Sequence, residues 1–160
     1  SLDWHLLEYP THKGVQSLVR DLNHLYRDTP ALYELDSKPE GFRWIDGGNA
    51  GESVFSWLRH GKDGSDPVLV VCNFTPVTRP GYRIGVPLAG TWEEVLNTDA
   101  AAYAGSNQVN ATPLATTEES AHGCAQSIEL TVPPLAPHRA RRNTCHWNWL
   151  AINPSLAPMI

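Results

Sequence analysis

Val68-Leu69-Val70-Val71-Cys72-Asn73-Phe74 is the stretch that decides the fold. A continuous, β-branched apolar run of this length reads as a central strand, and Pro76 and Pro80 break the pattern that follows it. The same grammar extends outward. Upstream, Ser53 to His60 is apolar-rich and ends at Gly61-Lys62-Asp63-Gly64, a hairpin signal. Before that, Phe42-Arg43-Trp44-Ile45 is a short strand closed by the turn Asp46-Gly47-Gly48-Asn49. Downstream, Tyr82 to Val86 and Thr91 to Leu96 flank Pro87-Leu88-Ala89-Gly90. Gln126 to Val132 alternates with period 2 until Pro133-Pro134. Residues 97–125, mostly Ala, Thr, Ser, Asn and Gly, read as a long loop. Six short strands with turn signals between them predict a mainly-β chain folded as an antiparallel β-sandwich.

One segment breaks the pattern. Val15, Leu18, Val19, Leu22, Leu25 and Tyr26 form a stripe of 3.6-residue period, with Lys13, Arg20, Asp21, Asn23 and His24 on the other side. Thr11 is the expected N-cap, and Asp28-Thr29-Pro30 the stop. Ala31 to Leu35 adds a short helical turn before Pro39-Glu40-Gly41. Ser1-Leu2-Asp3-Trp4-His5-Leu6-Leu7 reads as a loop. A chain that starts in a loop, makes one amphipathic helix and then turns all-β is expected to be the end of an enzyme. The helical stripe then belongs against a preceding domain. The expected division is residues 1–38 (loop and helix), 39–135 (all-β domain) and 136–160 (an atypical tail). The tail contains the basic run His138, Arg139, Arg141 and Arg142, expected not to fill a core position, and then Trp147, Trp149 and a Pro-punctuated end.

Composition narrows the function classes. The chain has 160 residues, 41% hydrophobic and 18% charged, which are globular values that allow a real core. A net charge of -5 argues against a nucleic-acid partner, since phosphate binding needs concentrated basic surface. No apolar run approaches the ~20 residues of a membrane span, and no signal-peptide pattern supports secretion. Cys72, Cys124 and Cys145 are odd in number and far apart, so they read as free thiols of a cytoplasmic protein, not a disulfide framework. His138, Cys145 and His146 lack a second ligand pair at metal spacing, so no metal or other cofactor is expected.

Individual residues admit few chemical roles. Trp44, Trp57 and Trp92 lie inside strand patterns and are expected to pack in the core, with a surface sugar platform as the alternative. Glu93 and Glu94 are adjacent on a strand and point to opposite faces, so they do not form a catalytic pair. Gly105-Ser106-Asn107 with Asn110 reads as a turn-rich loop held by local backbone hydrogen bonds. Asn73-Phe74-Thr75 and Asn110-Ala111-Thr112 match the glycosylation sequon by chance, and His122 has no triad partner in view.

Several blocks occur together in one order: Ser1 to Leu7, Gly14-Val15-Gln16-Ser17-Leu18-Val19-Arg20-Asp21-Leu22-Asn23, Val71-Cys72-Asn73-Phe74-Thr75-Pro76-Val77, Gly81-Tyr82-Arg83-Ile84-Gly85-Val86-Pro87, Glu94-Val95-Leu96-Asn97-Thr98-Asp99, Gly105-Ser106-Asn107 and Leu130-Thr131-Val132-Pro133-Pro134-Leu135. With these blocks, residues 1–135 closely resemble the C-terminal end of bacterial glycogen (1,4-α-glucan) branching enzymes. The resemblance implies a catalytic (β/α)8 barrel followed by an all-β domain. It also implies glycogen biosynthesis: cleavage of an α-1,4-glucan and transfer of the segment to make an α-1,6 branch, by retaining chemistry with two carboxylates. Those carboxylates belong to family motifs upstream of Ser1, and no acidic residue of this chain inherits their role. The chain alone is therefore expected to be catalytically silent, with α-glucan and the missing barrel as its partners. A stand-alone carbohydrate-binding module is the alternative. In the family's arrangement Ser1–Leu7 follows the eighth barrel strand, where loops line the active face. That makes Asp3 and Trp4 the candidate substrate-binding residues, a carboxylate for sugar hydroxyls beside an aromatic face for the ring; the bland reading is that both merely pack and brace the loop. After Leu135 the chain departs from the family, which usually closes with an apolar strand.

Overall fold

A computed structural model describes residues 3–62 and 66–142 of the chain. The helix α1 spans Pro10–Asp28. Its cap is Tyr9, in extended conformation and without a side-chain hydrogen bond, and not Thr11 as the sequence suggests. The reason is Pro10, whose fixed φ and missing N–H suit the first helical position and start the helix two residues earlier. It ends where Thr29, extended, precedes Pro30. Short 3-10 turns at Trp4–Glu8, Pro30–Leu32 and Pro39–Gly41 lead in and out of it.

The described residues contain eight strands: β1 (Phe42–Asp46), β2 (Val54–Arg59), β3 (Val68–Asn73), β4 (Arg79–Val86), β5 (Thr91–Asn97), β6 (Leu114–Ala115), β7 (Gln126–Val132) and β8 (Pro137–Arg142). All pairs are antiparallel. One sheet has the order β1-β2-β3-β8-β5-β6, and β4 pairs with β7 in the other. Leu58, Leu69, Val71, Trp92 and Ala140 of the large sheet meet Ile84, Val86, Ile128, Leu130 and Val132 of the small one in a single core. This is the antiparallel sandwich the sequence predicts. The hairpin turn read at Gly61–Gly64 falls partly outside the described residues, as does everything from Asn143 onward, including Cys145, His146, Trp147 and Trp149.

The central strand β3 is buried along its whole length because both faces are covered. Leu69 and Val71 enter the inter-sheet core, while Val68, Val70 and Cys72 pack under Leu25, Ala31 and Leu32. The helix and the turn after it thus form a partial third layer.

One expectation is corrected outright. The basic run 138–142 does fill a core position, as strand β8 between β3 and β5. Alternation resolves the apparent conflict. His138 and Ala140 point inward and are fully buried, while Arg139 and Arg141 fall on the opposite face. The loop reading of 97–125 also needs amendment, since a 3-10 turn at Ala101–Tyr103 and the strand β6 lie within it.

Candidate functional site

Asp3 and Trp4 stand at the head of the turn Trp4–Glu8, where the Asp3 carbonyl accepts the Leu6 N–H at 3.0 Å. The Asp3 side chain caps nothing, and Trp4 is 67% exposed. An indole this open does not brace the loop against the β domain.

A second aromatic group is built on the outer face of the large sheet. Trp44 on β1 pairs with Trp57 on β2, and the alternation of β1 puts Phe42 on the same side. Their ring centroids lie 5.0 Å apart for Phe42–Trp44, 5.8 Å for Trp44–Trp57 and 6.3 Å for Phe42–Trp57. Trp44 meets both neighbours edge-on, an arrangement favoured by the ring quadrupoles. Trp57 is half-buried against the packed layer of Val68, Val70 and Leu32, whereas Trp44 remains 55% exposed at the sheet edge. Gly47 helps hold it: an added Cβ there would stand 3.1 Å from the indole, so the turn lies directly on the ring. The Asp46 carboxylate fixes that turn by accepting the Gly48 N–H at 3.1 Å. Of the three tryptophans expected in the core, only Trp92 is fully buried; Trp44 is corrected to a surface residue. Its position was readable in part. An aromatic two residues from another aromatic, on an edge strand beside a Gly-Gly turn, has no inner layer to enter.

Polar chemistry is concentrated inside. Glu94 on β5 is 8% exposed, and its Oε2 lies 2.9 Å from Nδ1 of the fully buried His138. The contact is close by distance, but it falls short of hydrogen-bond alignment, and neither imidazole nitrogen has a well-aligned partner among the described residues. Asn110 completes the site, donating its backbone N–H (3.2 Å) and side-chain N–H (2.8 Å) to Glu94 Oε2. Burial pushes the Glu94 carboxyl up, but the His138 imidazole and the Asn110 donors outweigh it and hold the group below its ordinary value. Glu93, next along the strand, is half-exposed and 3.9 Å from Arg141. The two carboxylates face opposite sides of the sheet and cannot share a substrate.

The thiol of Cys72 is buried and pushed up to about 11 by that burial, which makes it a poor nucleophile. No group of three or more His, Cys, Asp or Glu among the described residues could hold a metal ion. No helix among them is long and apolar enough to cross a membrane.

Sandwich, sheet order and an outer layer on β3 frame the comparison with known proteins. The description "Alpha amylase, C-terminal all-beta domain" matches residues 44–137, more than half of the chain. The chain belongs to the alpha-amylase C-terminal all-β domain family. This all-β domain match runs from Trp44 to the first residue of β8. The chain is 59% identical over 135 residues to the 1,4-alpha-glucan branching enzyme GlgB of Pseudomonas fluorescens (strain Pf0-1), covering 84% of this chain and 18% of that protein. Against the enzyme of the same name from Rhodospirillum rubrum, identity is 56% over 136 residues, with 85% and 18% covered. The chain therefore spans under a fifth of the length of these relatives. Among solved structures, a MutB mutant from crystals soaked with trehalulose matches with a TM-score of 0.54 at 23% identity, over 87% of this chain and 19% of that one. That likeness bears on the all-β domain fold alone.

Proposed function

We propose that this chain is the carboxyl-terminal part of a cytoplasmic 1,4-α-glucan branching enzyme. Residues 1–38 end its catalytic barrel, and the β domain is a non-catalytic brace that also contacts α-glucan. The observation that carries the reading is the identity of 59% to a branching enzyme over 84% of the chain. The Phe42–Trp44–Trp57 group supports a glucan contact. Glucose rings present apolar C–H faces, and an indole fixed by its neighbours and open to solvent stacks on them without first losing conformational freedom. A stand-alone carbohydrate-binding module fits less well. Val15, Val19 and Tyr26 on α1 are 60%, 51% and 48% exposed, a bare apolar row that a free module has no reason to carry.

Binding of a linear maltooligosaccharide to residues 1–160, followed by NMR or calorimetry, tests the platform. Trp44→Ala is expected to weaken binding about tenfold, the equivalent of ~1.4 kcal/mol, while Trp57→Ala acts mainly on stability. Equal affinity in wild type and Trp44→Ala removes the platform from the account. The chain alone is expected to leave amylose unbranched and uncleaved in an iodine-staining assay, because in the branching-enzyme reading the two carboxylates that retaining chemistry requires belong to barrel motifs outside these residues.

Asp3 and Trp4 extend the proposal to the barrel side. In the full-length enzyme, Trp4→Ala is expected to lower kcat/KM for glucan transfer by about 5- to 150-fold, the effect of ~1–3 kcal/mol, with the melting temperature nearly unchanged. A large loss of stability with intact specific activity would reverse the assignment of Trp4 from substrate contact to packing.

A further inference from the structure

Besides Leu25 on β3, α1 meets the β domain at a residue that lies lengthwise along the helix. Gly14 is the only fully buried residue of α1. A Cβ at that position would stand 2.5 Å from the backbone carbonyl oxygen of Tyr103 and 2.6 Å from its carbon, so glycine alone allows the approach. Seven residues further on, two helical turns and ~10 Å along the axis, Asp21 accepts a hydrogen bond from the Tyr103 hydroxyl at 3.0 Å. The backbone of Tyr103 is seated at one point of the helix and its phenol at another. Two points fix both sliding and rotation, which a single contact does not.

The loop that carries Tyr103 is itself pinned to both sheets. At its start, the Asn97 side chain donates to the Gln108 carbonyl at 2.9 Å. Asp99 accepts from the N–H groups of Ser106 (3.0 Å) and Gln108 (2.9 Å) and from the Ser106 hydroxyl (2.7 Å). At its end, Asn110 donates to Glu94 on β5 and to the Thr131 carbonyl on β7, and accepts the Thr131 N–H at 2.7 Å. Strands β5 and β7 belong to different sheets.

We propose that the 98–110 loop is a rigid spacer that sets the angle and register of α1 against both sheets, with Tyr103 as the positioning residue. Whatever precedes α1 in the chain takes its orientation from this contact. In the branching-enzyme reading that is the catalytic barrel. The experiment involves only the helix and the sheets, so it succeeds or fails apart from that reading.

Residual dipolar couplings and amide exchange on the 160-residue chain provide the test. In the wild type, couplings from α1 and from β3 and β7 are expected to fit one alignment tensor. Gly14→Val forces the helix off Tyr103, so two tensors are expected, with α1 amides exchanging at least ~10-fold faster and strand amides unchanged. Tyr103→Phe keeps the backbone seat at Gly14 and is expected to retain one tensor, loosening only the Asp21 half of the helix. Should Gly14→Val not fold, Gly14→Ala is measured in its place, with the same two-tensor result expected because even a single Cβ would stand 2.5 Å from the Tyr103 carbonyl oxygen. A single tensor in the disrupted variant overturns the proposal, as do two tensors in the wild type or equal acceleration of helix and strand amides.

Discussion

Trp92→Ala is expected to cost about 3–5 kcal/mol, the range for deleting a large aromatic from a packed core. Trp92 is the largest fully buried side chain among the described residues and faces the small sheet from β5. Its neighbours on either side are Leu114 of β6 and Arg142 of β8. The indole N–H reaches the Leu88 carbonyl at 3.4 Å, so the substitution also frees a polar group at the start of the strand. A chain of this size loses ~2–4 °C per kcal/mol, so the melting temperature should fall by about 6–20 °C. Urea unfolding of the wild type, Trp92→Ala and Trp92→Phe measures the effect, with phenylalanine restoring part of the loss. A cost below ~1 kcal/mol for alanine would place Trp92 outside the cooperative core.

Glu94→Ala is expected to be of similar size by a different mechanism. Removing the carboxylate leaves His138 buried with nothing opposite its imidazole, and strips two Asn110 donors of their acceptor. Leaving a buried polar group without its partner costs about 1–3 kcal/mol, and several groups lose theirs here at once. The same group sets an acid limit. Its carboxyl lies lower in the folded chain than in the unfolded one. The stability it contributes is therefore whole above the ordinary carboxylate range. That contribution is lost as pH falls through the range and on to the lowered folded value. Asp99, also held low by its Ser106 and Gln108 donors against the upward push of burial, adds to the same limb. Unfolding free energy against pH for the wild type and Glu94→Gln isolates the Glu94 part. The variant curve should be flatter on the acid side, and parallel curves would remove Glu94 from the acid response.

Most of the sandwich could be read directly from residue patterns. Gln126–Val132 alternates in sequence and forms β7 with those bounds, because Ile128, Leu130 and Val132 face the core while Glu129 on the other face meets solvent. Val68–Asn73 has no polar face because α1 and the turn after it cover the side that the small sheet leaves open. β8 escaped the same reading. Hydrophobic periodicity looks for large apolar residues at inward positions, and here those positions hold Ala140 and His138. The small Ala140 is tolerated opposite Leu69, and His138 is matched by Glu94 on the neighbouring strand. No local pattern announces a partner contributed by a residue 44 positions away.

The candidate site was legible unevenly for a related reason. A tryptophan in a strand pattern enters the core only if a layer covers that face. Trp57 lies where Leu25 and Leu32 reach, while Trp44 lies one strand further out, beyond their cover. Helical periodicity likewise merged two faces of α1 into one stripe. Leu18, Leu22 and Leu25 turn toward the β domain and are half-buried, whereas Val15, Val19 and Tyr26 turn away. The Tyr103 contact at Gly14 has no signature beyond a glycine inside a helix, which is read by default as a weak point.

The position of β8 has a consequence for how the molecule assembles on the ribosome. The strand synthesised last among those described is inserted in the middle of the large sheet, so β1-β2-β3 and β5-β6 wait as two separate ribbons until residues 137–142 emerge. During that interval β3 and β5 each expose an open edge, with Val68–Val71 as the most apolar segment on show, a hazard for pairing with other nascent chains. Closure joins Val68–Cys72 to a strand some 70 residues later, a long-range step that makes folding slow relative to the formation of each hairpin.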